Sequence, residues 1–127
     1  MTCKVQEEQM FEVSWDSERH ILLEKLSGFW EMDEMRAYED RIRALIRSAA
    51  GQPFDSISDL NELAPQCAEI VKRHEQIMSD LDRAGRRRNI IVISSALLRR
   101  QVARSTPVGK EPEYFESLED AERALRR

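Results

Sequence analysis

The order of apolar patterns along the chain constrains the fold more than any single motif. Residues 10–15 and 20–26 carry strand-like apolar patterns separated by a short polar turn, which predicts an antiparallel hairpin. Three helix–strand alternations follow, and the last predicted strand leads into a closing helix. Because parallel strands need crossover connections, which helices supply, this order predicts an α/β fold with a central mixed sheet of about five strands and four helices.

Local signals predict the first half of these elements. Acidic residues cluster after Glu31, where the helix dipole favours negative charge, and Gly51 ends this first helix. Residues 54–60 form the weakest predicted strand, because an aspartate and two serines interrupt the apolar pattern. The second helix is predicted to begin near Pro65 and to be capped by Gly85.

The second half of the chain contains the clearest strand. Residues 90–93 are apolar throughout, which is typical of a strand covered on both faces, and the two serines that follow are predicted to cap a short helix. Residues 114–115 form a brief last strand. Ser117 is predicted to cap the closing helix, which would turn Leu118 inward.

The composition is that of a globular protein. The chain has 127 residues, 41% apolar and 35% charged, which predicts one domain spanning 1–127 with a flexible segment at 1–8. No apolar run approaches the roughly 20 residues that span a bilayer, and the first residues lack the apolar centre of a signal peptide, which favours a cytoplasmic location. Cys3 and Cys67 form neither a disulfide framework nor a zinc spacing, so no metal or cofactor is predicted.

Positive charge is concentrated in one segment. Residues 83–110 contain eight basic and no acidic residues, which leaves −12 for the remainder of a chain whose net charge is −4. Such a separation indicates either an anionic partner or arginines that pair with acidic groups elsewhere in the fold, and the second interpretation is favoured. The arginines at 86–88 are predicted to lie in a solvated turn. Nucleic-acid binding is not expected, because no aromatic platform or reading helix accompanies them.

The residue types needed for catalysis do not come together in the sequence. Cys67 and His74 are both placed on the second helix, about 10.5 Å apart along its axis, which is too far for a nucleophile and its base. Cys67 is therefore predicted to be a buried, unreactive thiol, and His74 a core or boundary residue. Phe29 and Trp30 are predicted to pack in the core or at its edge.

One segment has the chemistry of an anion site. Ser94 and Ser95 precede a predicted helix whose first N–H groups are free, and Arg99 and Arg100 would add positive charge. In open α/β sheets, ligands bind beyond the carboxyl ends of the strands, which is where these residues fall. Ordinary helix capping by the serines is the favoured alternative, since no glycine-rich phosphate loop is present.

Three local features resemble the STAS domain, the fold of anti-sigma-factor antagonists and of sulfate-transporter tails. Gly28 separates the hairpin from a helix, residues 85–95 read Gly-Arg-Arg-Arg-Asn-Ile-Ile-Val-Ile-Ser-Ser, and residues 113–121 read Glu-Tyr-Phe-Glu-Ser-Leu-Glu-Asp-Ala. The resemblance spans roughly residues 10–126 and implies a STAS-like, SpoIIAA-like topology together with a docking role.

The chain departs from that family at the phosphorylation site. Antagonists of the family carry a phosphorylated serine in the first turn of the helix that follows a strand, whereas residues 59–68 here contain no serine or threonine. Ser56 and Ser58 lie earlier, inside the predicted strand, where a kinase would reach them poorly. The resemblance therefore implies the fold and a docking role without a kinase-driven switch at this place.

Two functional hypotheses follow. The leading one is a non-enzymatic regulatory module that docks a protein partner, and its contact surface would consist of Asp59, Asn61, Glu62, Gln66 and Cys67. The alternative is a sensor or carrier that binds an anionic metabolite, nucleotide or lipid headgroup at the four residues of the anion site. The partner and the oligomeric state are not fixed by the sequence, and a dimer is compatible with both hypotheses.

Overall fold

The computed structural model describes residues 10–104, 106, 109 and 111–126, so the predicted flexible segment at 1–8 and Cys3 lie outside the described residues. Five strands and four helices occupy the described part of the chain, as the sequence predicts. In chain order they are β1 (Phe11–Asp16), β2 (Ile21–Gly28), α1 (Met32–Ala49), β3 (Phe54–Leu63), α2 (Ala68–Arg83), β4 (Arg86–Val92), α3 (Ala96–Arg104), β5 (Glu113–Phe115) and α4 (Leu118–Leu125).

The strands form one mixed sheet in which spatial order follows chain order, β1-β2-β3-β4-β5. β1 and β2 form the predicted antiparallel hairpin, and every later neighbour pairs in parallel. Consequently β2, β3, β4 and β5 all point the same way, and the loops that follow them meet at one side of the sheet. We call this side the carboxyl edge, and it is where α/β sheets bind their ligands.

The two faces of the sheet are covered unequally. Right-handed crossovers that step in one direction along a sheet place their helices on the same face. Accordingly, α1, α2 and α3 bury one large cluster that includes Trp30, Tyr38, Ile77 and Leu98. The opposite face packs against α4 in a smaller cluster around Ala121.

β3 differs most from its prediction. It is the middle strand and has 10 residues, whereas the sequence predicted a weak strand that ends at residue 60. The three polar side chains that interrupt its apolar pattern, Asp55, Ser56 and Ser58, are buried, because each has a partner on a neighbouring strand. The Ser58 hydroxyl donates to the carboxylate of Glu24 at 2.6 Å, and Asp55 accepts a hydrogen bond from the backbone N–H of Arg88 at 3.2 Å.

The arginines at 86–88 lie in a strand, and the predicted solvated turn is wrong. β4 begins at Arg86, whose side chain is only 3% exposed and donates to the backbone carbonyl of Met78 at 3.3 Å. All three arginines pair with acidic side chains, which confirms the favoured interpretation for this part of the basic segment. The ion pairs are Arg86–Asp82, Arg87–Asp55 and Arg88–Glu113, with N···O distances of 2.9, 3.5 and 2.7 Å.

The helix boundaries shift by a few residues from those predicted. α1 begins after Glu31, which forms a reciprocal capping box with Glu34, and its C-cap is Ala50 in the left-handed region rather than Gly51. α2 ends before Gly85, whose φ of +113° suits glycine and turns the chain directly into β4. Among the described residues, no helix is long and apolar enough to cross a membrane.

Candidate functional site

Asn61, near the end of β3, organises the carboxyl edge. Its side-chain oxygen accepts hydrogen bonds from the backbone N–H of Ser94 at 2.8 Å and from the Ser94 hydroxyl at 3.0 Å. Its amide nitrogen donates to the backbone carbonyl of Glu116 at 3.3 Å. One side chain thus connects the end of β3 to the segments that follow β4 and β5, so the predicted docking and anion-binding residues adjoin each other.

The acidic groups of this edge differ in accessibility. Asp59 is half-buried, and its carboxylate accepts a hydrogen bond from the backbone N–H of Asn61 at 3.1 Å. Glu62 is exposed and lies 3.5 Å from Lys25 in a solvated ion pair. Because such surface pairs are worth little, the Glu62 carboxylate is available to a partner at small cost.

Gln66 lies in the interior, although the sequence predicted it on the contact surface. It is 8% exposed, and its amide oxygen accepts a hydrogen bond from the backbone N–H of Trp30 at 2.8 Å. Its amide nitrogen donates to the carbonyls of Gly28 at 2.9 Å and Ala64 at 2.6 Å. Gln66 therefore fastens the loop after β2 to the loop after β3 from beneath the surface.

Cys67 is exposed, so its predicted burial is wrong. α2 begins at Ala68 instead of near Pro65, which places Cys67 at the N-cap position outside the helix rather than on its apolar stripe. His74 is confirmed as a boundary residue, with ring centroids 5.0 Å from Trp30 and 5.3 Å from Tyr38. Burial lowers the pKa of His74 to about 4, and the charge of Glu39 opposes that shift.

Most residues of the predicted anion site already make contacts with other residues of the chain. Both the backbone N–H and the hydroxyl of Ser94 donate to Asn61. The Ser95 hydroxyl accepts from the backbone N–H of Leu98 at 3.2 Å and so caps α3, as the favoured alternative predicts. The guanidinium of Arg99 lies 4.1 Å from the centre of the Tyr114 ring, whereas Arg100 is exposed.

Three large apolar side chains are exposed at the carboxyl edge, and sequence reasoning missed all of them. In the described part of the chain the exposed large hydrophobic residues are Phe29 at 53%, Leu97 at 57% and Leu118 at 44%. Phe29 follows β2 directly, whereas Leu97 and Leu118 lie in the first turns of the helices that follow β4 and β5. Adjacent helical residues are about 100° apart, so the buried Leu98 is consistent with an outward-facing Leu97. The predicted inward orientation of Leu118 is wrong, because this residue is the first of α4, although Ala121 on the same helical face is buried.

Phe29 and Trp30 are adjacent in the chain, yet their side chains point in different directions. Both were predicted to pack in the core or at its edge, yet Trp30 is fully buried and Phe29 is about half exposed. The indole N–H of Trp30 donates to the carbonyl of Ser27 at 2.8 Å, which holds the ring under the loop and turns Phe29 outward. Across the described residues, no group of three or more histidine, cysteine, aspartate or glutamate side chains is arranged to hold a metal ion.

Comparison with solved structures identifies the fold. The anti-sigma factor antagonist from Mycobacterium paratuberculosis superposes with a TM-score of 0.64 at 17% identity and covers 97% of this chain and 100% of its own. The Bacillus cell fate determinant SpoIIAA in its phosphorylated form gives 0.65 at 19% identity, covering 92% and 99%. A protein of the DUF3478 family with a SpoIIAA-like fold, from Shewanella loihica PV-4, gives 0.68 at 18% identity, covering 97% and 99%.

These similarities confirm the predicted SpoIIAA-like, STAS-like fold over nearly the whole chain. At identities below 20% they concern the backbone topology, and no residue role transfers through them. No protein-family model matches the sequence, and no curated protein matches it significantly. The function must therefore be argued from the site itself.

Proposed function

We propose that this chain is a non-enzymatic, STAS-like regulatory module that docks a protein partner through its carboxyl edge. The observation that carries the proposal is the position of the three exposed apolar side chains, Phe29, Leu97 and Leu118, on the loops and helix starts of that one edge. Apolar side chains exposed together on one side of a domain are typical of interaction surfaces.

The polar residues of the edge define the kind of partner. Asp59 and Glu62 add negative charge beside the apolar residues, so a partner surface with apolar side chains and a basic rim would be complementary. Asn61 holds the segments after β4 and β5 in place through its three hydrogen bonds, which reduces the ordering cost of binding. Gln66 contributes from below, and Cys67 extends the surface at the start of α2.

Docking through this edge would not be switched by phosphorylation at the place used by antagonists. Residues 59–68 contain no serine or threonine. Ser56 and Ser58 are 1% and 3% exposed, which leaves no room for a kinase to reach them in the folded state. The carboxylates of Asp59 and Glu62 would instead supply a fixed negative charge.

Affinity capture of the tagged chain from its native cells, quantified by mass spectrometry, tests this proposal. A specific partner should be recovered with the wild type and reduced about tenfold by Glu62→Arg, because the reversal places like charge against a basic rim. Glu18→Arg is the matched control, since Glu18 is exposed on the β1–β2 turn at the opposite side of the sheet. Equal recovery with both variants would contradict docking through the carboxyl edge.

A second candidate function is anion binding at Ser94, Ser95, Arg99 and Arg100. Its support is Arg100, whose side chain is exposed in α3. A thermal-shift panel of phosphate, nucleotides and soluble phosphoinositide headgroups would test it. Stabilisation that disappears in Arg100→Ala supports anion binding, whereas a flat panel removes this candidate.

A further inference from the structure

A cavity of about 80 Å³ lies beneath the three-helix face of the sheet, between the strands and the helices α2 and α3. Glu24 of β2, Ser58 of β3 and Asn89 of β4 line its sheet side. His74 lines it from α2, and Val102 from α3. The cavity is partly open to solvent and lies between three strands and two helices of the fold.

One polar group of the cavity is fully engaged. Tyr38 donates its hydroxyl proton to the carboxylate of Glu24 at 2.7 Å, and Ser58 donates to the other carboxylate oxygen at 2.6 Å. Burial raises the pKa of Glu24, while these two hydrogen bonds and the charge of Arg86 oppose the shift. The carboxylate of Glu24 is therefore a hydrogen-bond acceptor at the cavity wall, and its two hydrogen bonds hold it in position.

Two other polar atoms of the wall have no partner. His74 Nε2 and Asn89 Oδ1 are both buried, and neither makes a hydrogen bond to any described residue. Buried polar atoms are nearly always paired, because an unpaired one retains its full desolvation cost. Both of these residues of the described structure line the same cavity, which indicates a common missing partner.

Water alone is a poor partner for this cavity. A single water needs roughly 10–15 Å³ and two to four polar neighbours. The cavity is several times larger, and much of its wall is apolar, including Leu60, Val71, Ile91 and Leu98. A molecule with both an apolar body and a polar group satisfies the wall better than a cluster of waters does.

We propose that this cavity binds a small, uncharged and mainly apolar molecule that carries a hydrogen-bond-donating group. Asn89 Oδ1 would accept a hydrogen bond from the donating group of this molecule, and His74 Nε2 would make a second polar contact with the same group. An anion is disfavoured, because the lining residues include the carboxylates of Glu24 and Glu75 and no lysine or arginine among those described. The cavity shares Gln66 with the proposed docking edge, but binding in it does not require that the edge docks a partner.

Aniline and toluene are a matched pair of probes, since they have the same shape and differ by a donating amine in place of a methyl group. Toluene has the larger hydrophobic driving force, so any preference for aniline must come from the polar wall. NMR titration of the isotopically labelled chain should show aniline shifting resonances of the cavity residues and binding about tenfold more tightly than toluene. Benzoate, the anionic analogue, should leave those resonances unchanged.

Asn89→Leu tests the role of the unpaired oxygen, because leucine keeps the shape and removes the acceptor. The preference for aniline should disappear in this variant and persist in Gln52→Leu, in which a polar amide is replaced at an exposed position between α1 and β3. His74→Phe serves as a second variant should Asn89→Leu not fold, and it should weaken the preference. Tighter binding of toluene to the wild type, a preference that survives both cavity variants, or no shift with any probe would overturn the proposal.

Discussion

The carboxyl edge and the cavity depart from ordinary protein architecture in opposite senses. At the edge, the polar side chain of Asn61 makes three hydrogen bonds, while Leu97 and two other large apolar residues face solvent. In the cavity, the wall is largely apolar, while His74 Nε2 and Asn89 Oδ1 lack partners. An exposed apolar group gains little folding free energy and an unpaired buried polar group costs some, so each region is better explained by binding than by stability.

The comparison also separates two kinds of recognition. A surface that presents apolar side chains on positioned loops suits a macromolecular partner, whereas a cavity lined by residues with two unpaired polar atoms suits a small molecule. Gln66 lies between the two regions, because it lines the cavity and hydrogen-bonds the loops that form the edge. If this difference holds, the polar groups of the edge stabilise the fold, whereas the unpaired polar groups of the cavity do not.

Removal of Gln66 should have the largest effect. Gln66→Ala leaves the buried N–H of Trp30 unpaired and breaks the bonds to Gly28 and Ala64, so the free energy of unfolding should fall by about 4 kcal/mol. Chemical denaturation measures this change. The neighbouring Cys67→Ala, at an exposed position, should stay within about 0.5 kcal/mol of the wild type, and equal stability of the two variants would show that Gln66 does not secure the edge.

Acidification should destabilise the chain through His74. The unfolded side chain binds a proton near its usual pKa of 6.5, whereas in the folded state burial lowers the pKa to about 4. The unfolded state therefore binds more protons across this window, and stability contributed above pH 6.5 is lost as the pH falls towards 4. The loss attributable to His74 should be on the order of 3 kcal/mol.

His74→Phe isolates that contribution, because Phe preserves a ring beside Trp30 and Tyr38 without a titratable nitrogen. Denaturation of both chains at several pH values gives the difference directly. Glu24, whose pKa is raised by burial, and Glu39, whose pKa is lowered by Arg73, are present in both chains and largely cancel. If the free energy of unfolding of the wild type changed with pH between 6.5 and 4 just as that of the variant does, a buried, neutral imidazole would be contradicted.

The two asparagines give the sharpest contrast. Asn61→Leu removes three hydrogen bonds at the edge and should cost about 2 kcal/mol, whereas Asn89→Leu removes an unpaired oxygen and should stabilise the chain by about 1 kcal/mol. Thermal and chemical unfolding of both variants measure the two signs. If both variants lost the same amount of stability, the side chains of Asn61 and Asn89 would not differ in hydrogen bonding as proposed.

The smallest effect on stability is expected at the apolar surface. Leu97 is 57% exposed, so Leu97→Ser should change the free energy of unfolding by less than about 0.5 kcal/mol. Leu98→Ser, one residue later and 2% exposed, should be strongly destabilising. If both variants were equally destabilised, Leu97 would contribute to the core and could not serve as a docking side chain.

The sequence predicts the fold well because periodicity and chain order report on local structure. The continuous apolar run that contains Ile90 and Ile91 identifies β4, and helical spacing identifies Ile70, Ile77 and Leu81 as the buried face of α2. These signals depend on residues close together in the chain. They therefore yield the element order, and with it the sheet, without knowledge of long-range contacts.

The sites are less predictable because they depend on partners distant in sequence. Ser58 is buried because Glu24, 34 residues earlier, accepts its hydrogen bond, and no local pattern in β3 indicates this. Gln66 points inward and accepts a hydrogen bond from Trp30, so α2 begins only at Ala68 and Cys67 is exposed. The cavity arises in the same way, since Asn89 lines it from β4 and His74 from α2.

The most direct test of the docking edge is a binding titration between the captured partner, once purified, and variants of the chain. Leu97→Ser should weaken the affinity at least about tenfold while leaving stability unchanged, because an exposed apolar side chain would lose its burial in the interface. Ala37→Ser, on the exposed side of α1, should bind like the wild type. Unchanged affinity of a folded Leu97→Ser would contradict docking through the carboxyl edge.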